Sequence, residues 1–321
     1  MSNIPNLDSG NPKRCLVLGG LGFIGSHLVD ALLQAGYIVR CFDRPHMAPG
    51  GFRHMDVPNY ELFEGDFVNE ADVSAALEGC DVCYHLVSTT LPKSSNVNPI
   101  FDVESNVIGT VRLLTHALKS GLKKVIFVSS GGTIYGSPQH VPIEETHPTD
   151  PVCSYGITKL TIEKYLGLFK QLHGLDCAIL RIANPYGERQ RTHASQGAIA
   201  VFLDKALRGE PVEIWGDGSV VRDYIYISDV IDALLSVINH TGERHVFNIG
   251  SGRGHSLNEV LGYIESETGR TIERRYLPSR TFDVPVNVLS IKRAQHDLNW
   301  SPKLGLDQGL RRFADWLREH P

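Results

Sequence analysis

The chain has no continuous apolar run near the roughly 20 residues that a membrane-spanning helix requires, so no part of it reads as a span. It has no basic excess either. Its 31 Lys and Arg stand against 36 Asp and Glu, a formal net charge of −5, which leaves no electrostatic footprint for nucleic acid. Cysteine is scarce, with six in all. Cys15, Cys41, Cys83 and Cys177 fall inside apolar strand-like runs, where Cys behaves as a small buried hydrophobe. Cys80 and Cys83 form one CxxC, but no second pair or CxxH follows at zinc spacing, so no metal site is read. Repeats and low-complexity segments are missing. Met1 to Pro12 is polar, with two prolines and no apolar core; it reads as a loose tail rather than a signal peptide, and a cytoplasmic location is the expectation.

What is present is the composition of an ordinary globular chain: 321 residues, 42% hydrophobic and 21% charged, enough for a full core and for two domains. Through the first half, strand-like and helix-like segments alternate with short links. The strands are read at Cys15–Leu18, Tyr37–Phe42, Leu62–Phe67, Val82–Val87, Lys124–Ser130 and Cys177–Arg181, with a long helical pattern from about Val103 to Lys119 among the helices between them. That alternation predicts an α/β fold of the Rossmann type, a doubly wound parallel sheet with helices on both faces. The expected division is a dinucleotide domain over 13–181, to which segments within about 222–250 could return, and a smaller, mostly C-terminal substrate region over 182–321. Ligands bind at the carboxyl ends of such strands, which places Gly19–Gly25, Asp43, Asp66, Ser88–Thr90 and Ser129–Thr133 on one rim.

The first strand runs into Gly19-Gly20-Leu21-Gly22-Phe23-Ile24-Gly25 and then a helical segment. Strand, tight glycine turn and helix in that order are the context a GxGxxG-like match needs. Gly20, Gly22 and Gly25 would allow the sharp turn, close approach of a pyrophosphate and packing of the helix on the strand, with the phosphates on free N–H groups at the helix N-terminus. Asp43, at the end of the second strand, is placed to accept from the ribose 2′-OH of NAD and to repel a 2′-phosphate. Arg44 beside it would instead recruit NADP; the carboxylate favours NAD.

Tyr155 and Lys159 stand four apart on a helical segment, so they share one face. An ammonium beside a phenol favours the phenolate, and Lys159 is expected to draw the Tyr155 pKa down from about 10. Tyr155 is then a candidate general base.

These motifs recur with others in a fixed order: Gly65-Asp66, Asn106-Val107-Ile108-Gly109-Thr110, Thr133-Ile134-Tyr135-Gly136, Arg181-Ile182-Ala183-Asn184-Pro185-Tyr186-Gly187, Arg222-Asp223-Tyr224-Ile225-Tyr226, Phe247-Asn248-Ile249-Gly250-Ser251-Gly252 and Leu298-Asn299-Trp300-Ser301-Pro302. From about Lys13 to the C-terminus the chain resembles the extended short-chain dehydrogenase/reductase family of nucleotide-sugar epimerases and dehydratases. The resemblance implies NAD held by Gly19, Gly22, Phe23, Ile24 and Gly25 of the turn and by Asp43 and Arg44. Asp66 and Phe67 would reach its adenine end, and Leu86, Val87 and Ser88 would line the next strand end. Tyr155 would be the acid/base and Lys159 its activator, with Lys159 also on the nicotinamide ribose. The resemblance further implies that Thr90 and Asn184 contact a sugar nucleotide, expected to be UDP-linked, and that Arg222 and Arg280 clamp its diphosphate, a task suited to a guanidinium. It implies a homodimer.

In the implied chemistry Tyr155 takes a proton from a sugar hydroxyl while the carbon beneath it is oxidised to a keto-sugar, which is then reduced from the opposite face. Dehydratases of the family usually carry an Asp-Glu pair where this chain has Gly132 and Thr133, so 4-epimerisation leads. A dehydratase, a reductase that releases its cofactor and a non-catalytic sensor of NAD or nucleotide sugar stay as alternatives. The Ser or Thr that normally shares the substrate hydroxyl with the Tyr is replaced by Gly131. Ser130 or Thr133, with Thr133 favoured, or a hydroxyl among Ser88, Thr89 and Thr90, is expected in its place. The resemblance places Asn287 where bulk restricts some 4-epimerases to plain hexoses, and its small size implies room for an N-acetyl group, so a UDP-hexose or a UDP-N-acetylhexosamine is the expected substrate.

Overall fold

The computed structural model describes residues 13–45, 57–192, 197–279 and 284–320. Its first element is strand β1 (Arg14–Leu18), followed by helix α1 (Phe23–Gln34), β2 (Ile38–Asp43), β3 (Tyr60–Glu64), α2 (Glu70–Leu77) and β4 (Val82–His85). Two four-residue helices, α3 (Pro92–Ser95) and α4 (Pro99–Asp102), lead through a π-helical turn at Val103–Ile108 into α5 (Gly109–Ser120). Then come β5 (Lys124–Ser130), α6 (Ser154–His173) and β6 (Asp176–Ile182). These strands, with β10 (Val246–Ile249) added at one edge, make a seven-stranded sheet in the order β10-β6-β5-β4-β1-β2-β3. Every pairing in it is parallel.

A parallel sheet covered on both faces needs strands that are apolar throughout, and β4 is buried at all four positions. Alternation along the strands divides the core in two. Cys15, Val17, Val39, Cys41 and Tyr84 face the layer containing α1, while Leu16, Leu18, Phe42, Cys83 and Phe127 face the layer of α2, α5 and α6.

The remaining strands are short. β7 (Asn184–Tyr186) and β9 (Val221–Tyr226) pair in parallel, β11 (Gly254–Ser256) and β13 (Val286–Asn287) add to the first residues of β9, and β8 (Val212–Trp215) pairs with β12 (Arg274–Leu277). Helices α7 (Ala198–Arg208), α9 (Leu257–Thr268) and α11 (Leu306–Glu319) pack on one another beside these strands, while α8 (Ile227–Ser236) packs on α1 and α10 (Lys292–Leu298) lies against β10. Among the described residues no helix is long and apolar enough to cross a membrane.

Beyond end shifts of one or two residues, such as β4 ending at His85 rather than Val87, two elements differ from the sequence reading. The third strand ends at Glu64 rather than Phe67. A Cβ on Gly65 would sit 2.7 Å from the Phe42 ring, and Asp66 donates its N–H to Asp72 Oδ2 at 2.9 Å, so the chain leaves the sheet there. The helix read from Val103 begins as a π turn. Asn106 Nδ2 donates to the Asp102 carbonyl at 3.0 Å, and Thr110 Oγ1 to the Asn106 carbonyl at 2.6 Å. Side-chain donors thus compete with the backbone for acceptors, a setting in which helices widen, often at functional sites.

Candidate active site

At the first strand end, Gly19 and Gly20 both donate their N–H to the Phe42 carbonyl, at 2.9 and 3.2 Å, which pins the turn to β2. The left-handed residue is Gly19, with φ +83°, so the sharp turn belongs to it and not to Gly20. Gly20 instead lies where a Cβ would press on Cys41 Sγ. Gly25 admits no side chain at all, since a Cβ there would stand 2.1 Å from the Gly19 carbonyl oxygen. Gly22 caps α1 without a side-chain bond, and a Cβ on it would meet only the Gly19 oxygen, at 3.2 Å. The turn therefore presents bare backbone and a helix N-terminus to the rim. That cradle fits a dinucleotide pyrophosphate.

Asp43 is oriented by the turn itself: Oδ2 accepts from the Leu21 N–H and Oδ1 from the Arg44 N–H, both at 2.9 Å. Arg44 and Asp66 are exposed. Asp66 Oδ1 accepts from the Val68 N–H at 3.1 Å. The Phe67 ring is buried, 5.0 Å from that of His85, so it offers a ligand its main chain rather than its side chain. Phe23 and Ile24, in the first turn of α1, are half-buried. Leu86 donates to the Leu18 carbonyl at 3.1 Å, and the Val87 N–H lies 3.4 Å from the place a Gly19 Cβ would take. The β4 end thus stands against the glycine turn.

The next residue, Ser88, donates from Oγ to the Thr90 carbonyl at 3.0 Å and lies near enough to the Tyr155 hydroxyl to lower its pKa. Two consecutive residues thereby stand between the glycine turn and the candidate general base. Tyr155 sits in the first turn of α6, whose leading N–H groups are satisfied from outside the helix: Ser154 donates to Asn96 Oδ1 at 2.8 Å and Tyr155 to Ser95 Oγ at 3.0 Å. One turn on, Lys159 is buried at 4% exposure, donates to the Val128 carbonyl at 3.0 Å, and lies 4.7 Å from the centre of the Phe127 ring and 5.6 Å from that of Tyr155.

The Tyr155 phenol is pushed up to about 12, chiefly by burial and then by Cys153 and Asp102, against the neighbouring Ser88 hydroxyl, which lowers it. Lys159 is brought down to about 8 by burial, opposed by Asp102 and Glu163. The expectation that Lys159 lowers the Tyr155 pKa is therefore not met in the protein alone. The ammonium is held over the ring and on a carbonyl, while burial dominates the phenol.

The missing hydroxyl at Gly131 has a steric cause. A Cβ there would stand 2.5 Å from Leu289 Cδ1 and 3.0 Å from the Arg181 carbonyl, so Leu289 occupies the space a Ser would need. Of the proposed replacements, Ser88 has its hydroxyl beside Tyr155, with its proton given to the Thr90 carbonyl. Thr133 Oγ1 is buried without a protein partner, and its carbonyl lies 2.6 Å from where a Cβ on Gly156 would be, so it packs beside Tyr155 on α6 with its hydroxyl uncommitted. Ser130 is half-buried, and its carbonyl accepts from Thr133 and Ile134.

The residues assigned to the sugar nucleotide come together less. Thr90 is buried and gives its hydroxyl to Asp102, which withdraws it from a substrate contact. Asn184 donates to the Asp223 carbonyl at 2.9 Å. Arg222 Nη1 donates to the carbonyls of Val221 and Val284, at 2.9 and 2.6 Å. Arg280 lies outside the described residues. Asn287 is 1% exposed and donates to the Gly131 carbonyl at 3.1 Å, so its amide nitrogen supports the loop.

Sequence reasoning missed the charges beneath the site. Asp102 is fully buried among neutral donors. Glu163 and Arg181 form a buried ion pair at 2.6 Å, with Ser129 on the carboxylate and Tyr135 on the guanidinium. Glu163 could have been found, because it lies four residues after Lys159 on a helix face with buried Ile162 and Leu166. Asp102 carries no such mark, since its stretch reads as an ordinary exposed helix start. Among the described residues no group of His, Cys, Asp or Glu could hold a metal ion.

A glycine turn on β1, a carboxylate closing β2 and a Tyr–Lys pair on α6 define an NAD-dependent oxidoreductive site on a doubly wound sheet. The family model described as the NAD dependent epimerase/dehydratase family matches residues 15–250, and the chain belongs to that family. The UDP-glucose 4-epimerase of Mycolicibacterium smegmatis is 36% identical over 312 residues, covering 95% of this chain and 98% of its own. The crystal structure of a UDP-glucose 4-epimerase from Thermotoga maritima with UDP-glucose matches with a TM-score of 0.89 at 37% identity, over 96% of this chain and 99% of that one. That of the Thermus thermophilus UDP-glucose 4-epimerase with NAD matches with a TM-score of 0.87 at 33% identity, over 95% and 99%.

Proposed function

We propose that the protein interconverts the C4 epimers of a UDP-hexose. The observation that carries this reading is the convergence at the β4 end: Val87 against Gly19 and Ser88 near the Tyr155 hydroxyl put the dinucleotide cradle and the acid/base within two residues of each other. NAD, when bound in that cradle, supplies a reversible two-electron oxidant and, in its oxidised form, a positive charge. Tyr155 takes the proton of the sugar hydroxyl at its phenolic oxygen and returns it, with the uncommitted Thr133 hydroxyl available to the sugar. Lys159 holds positive charge over the ring. Gly132 and Thr133 offer no carboxylate to eliminate water, which favours epimerisation over dehydration.

A homodimer is supported by exposed apolar side chains along the two α-helical elements that pack beside the site: Ile100, Phe101 and Ile108 before and within the π turn, and Ile157, Leu168 and Leu172 on α6. All six cysteines are free, which suits a reducing cytoplasm. The test is whether purified protein carries NAD and turns over UDP-glucose with none added; UDP-N-acetylglucosamine is the second substrate to assay. Tyr155→Phe should retain NAD and lose at least about 10² in kcat. Turnover that needs added NADH would mark a reductase, and bound NAD without turnover a sensor.

A further inference from the structure

We propose that Asp102 is a positioning residue for this reaction: its buried carboxylate clamps the first turn of α6 to the loop after β4, so that Tyr155, Lys159 and Ser88 share one fixed geometry. The inference rests on the roles given above to Tyr155 and Lys159.

The carboxylate is 0% exposed. One oxygen, Oδ2, accepts from Ser154 Oγ at 2.7 Å and Thr158 Oγ1 at 2.8 Å, the residues just before Tyr155 and just before Lys159. The other, Oδ1, accepts from Thr90 Oγ1 and from Asn106 Nδ2 at 3.0 Å. Asn106 in turn grips Thr89, accepting its N–H at 3.0 Å and donating to its hydroxyl at 2.8 Å. One side of the carboxylate therefore holds the catalytic helix, and the other holds the loop that supplies Ser88. All four donors are neutral. A buried charge with only neutral donors is costly to desolvate, and it keeps its full field on its neighbours.

Those neighbours are the reacting groups. Tyr155 faces the Asp102 charge together with Cys153. Lys159 faces Asp102 and Glu163, and also His85, whose own pKa is lowered to about 3 by burial and by Lys159, leaving the imidazole neutral. Asp102 raises the pKa of both Tyr155 and Lys159, so removing its charge lets both protons leave more readily and moves both limbs of a pH–rate profile toward acid. A purely structural contact would lower the rate without moving the limbs.

The deciding variant is Asp102→Asn in the NAD-loaded enzyme, assayed on UDP-glucose across pH beside Tyr155→Phe. Ser and Thr hydroxyls can accept as well as donate, so the amide can be accommodated. The expected result is retained NAD, KM within about threefold and kcat down by at least about tenfold, with both limbs shifted to lower pH. Unchanged kcat, loss of NAD, or a slower enzyme with unmoved limbs overturns the proposal. If Asp102→Asn does not fold, Ser154→Ala with Thr158→Val decides: slowed turnover with NAD retained supports the clamp, and wild-type turnover overturns it. An active Tyr155→Phe would sink the proposed function itself, whereas a dead Tyr155→Phe beside a normal Asp102→Asn removes only this inference.

Discussion

The two ends of the cleft are built in opposite ways. The dinucleotide end is made from neighbours in sequence, Gly19 to Gly25 with Asp43, and it works through main chain: a left-handed glycine, bare N–H groups and a helix start. The end proposed to take the sugar is assembled from far-apart segments through side chains. Gly131 is packed by Leu289 and held by Asn287, and Leu289 donates its N–H to Asp223, which also accepts from Ser251 and Gly252. The first end is rigid because nothing larger fits; the second is rigid because buried charges and amides are tied to several strands at once.

The contrast can be broken at the glycine turn. Gly25→Ala places a methyl 2.1 Å from the Gly19 oxygen, a backbone atom that cannot swing away. The variant should lose its bound NAD entirely, at the upper end of the roughly 1–3 kcal/mol that overpacking costs or beyond it. Retained NAD by absorbance of the denatured supernatant would show that the turn is softer than its geometry.

The catalytic side stores an electrostatic cost that the turn does not. Lys159 has its pKa lowered to about 8, so its charged form is disfavoured in the fold. The sign follows: the cost is full below about 8 and is relieved as pH rises toward the ordinary lysine value near 10.4. Lys159→Met should therefore abolish turnover yet stabilise the NAD-free protein at neutral pH, by up to about 3 kcal/mol. The advantage should shrink as the medium is made alkaline. Denaturant melts at two pH values measure it, and a variant less stable at neutral pH would show that Asp102 and Glu163 outweigh burial.

The smallest effect sharpens the assembly of the sugar end. Gly131→Ser restores the hydroxyl usual in the family, but into space held by Leu289 and 3.0 Å from the Arg181 carbonyl. It should cost about 1 kcal/mol of stability and bring no gain in turnover. Adding Leu289→Ala should recover part of that loss, a coupling that a double-mutant cycle reads directly. Additive losses would separate Leu289 from Gly131.

The same contrast governs what the sequence discloses. The glycine turn, the Asp43 carboxylate and the Lys124–Ser130 strand are visible because each is a local pattern whose partners lie nearby in the chain. The Tyr155–Lys159 pair is visible as well, but its electrostatics are not, since desolvation comes from the fold around it. Asp102 looks like an ordinary first-turn acid, and Asn287 like a pocket lining. Only tertiary packing makes one the anchor of four donors and the other the support of a loop carbonyl. Gly131 reads as a loss of function until Leu289, from the far end of the chain, is seen in the vacated space.

The strand Val246–Ile249 lies beside β6 although most of the small sheets precede or follow it in the chain. A polypeptide cut after Ile182 would leave the flank of β6 with unanswered amides and carbonyls, an open seam prone to pair with another molecule. The dinucleotide half is thus no detachable cassette. Swapping it into a relative would require a discontinuous graft, with β10 carried along as a separate piece.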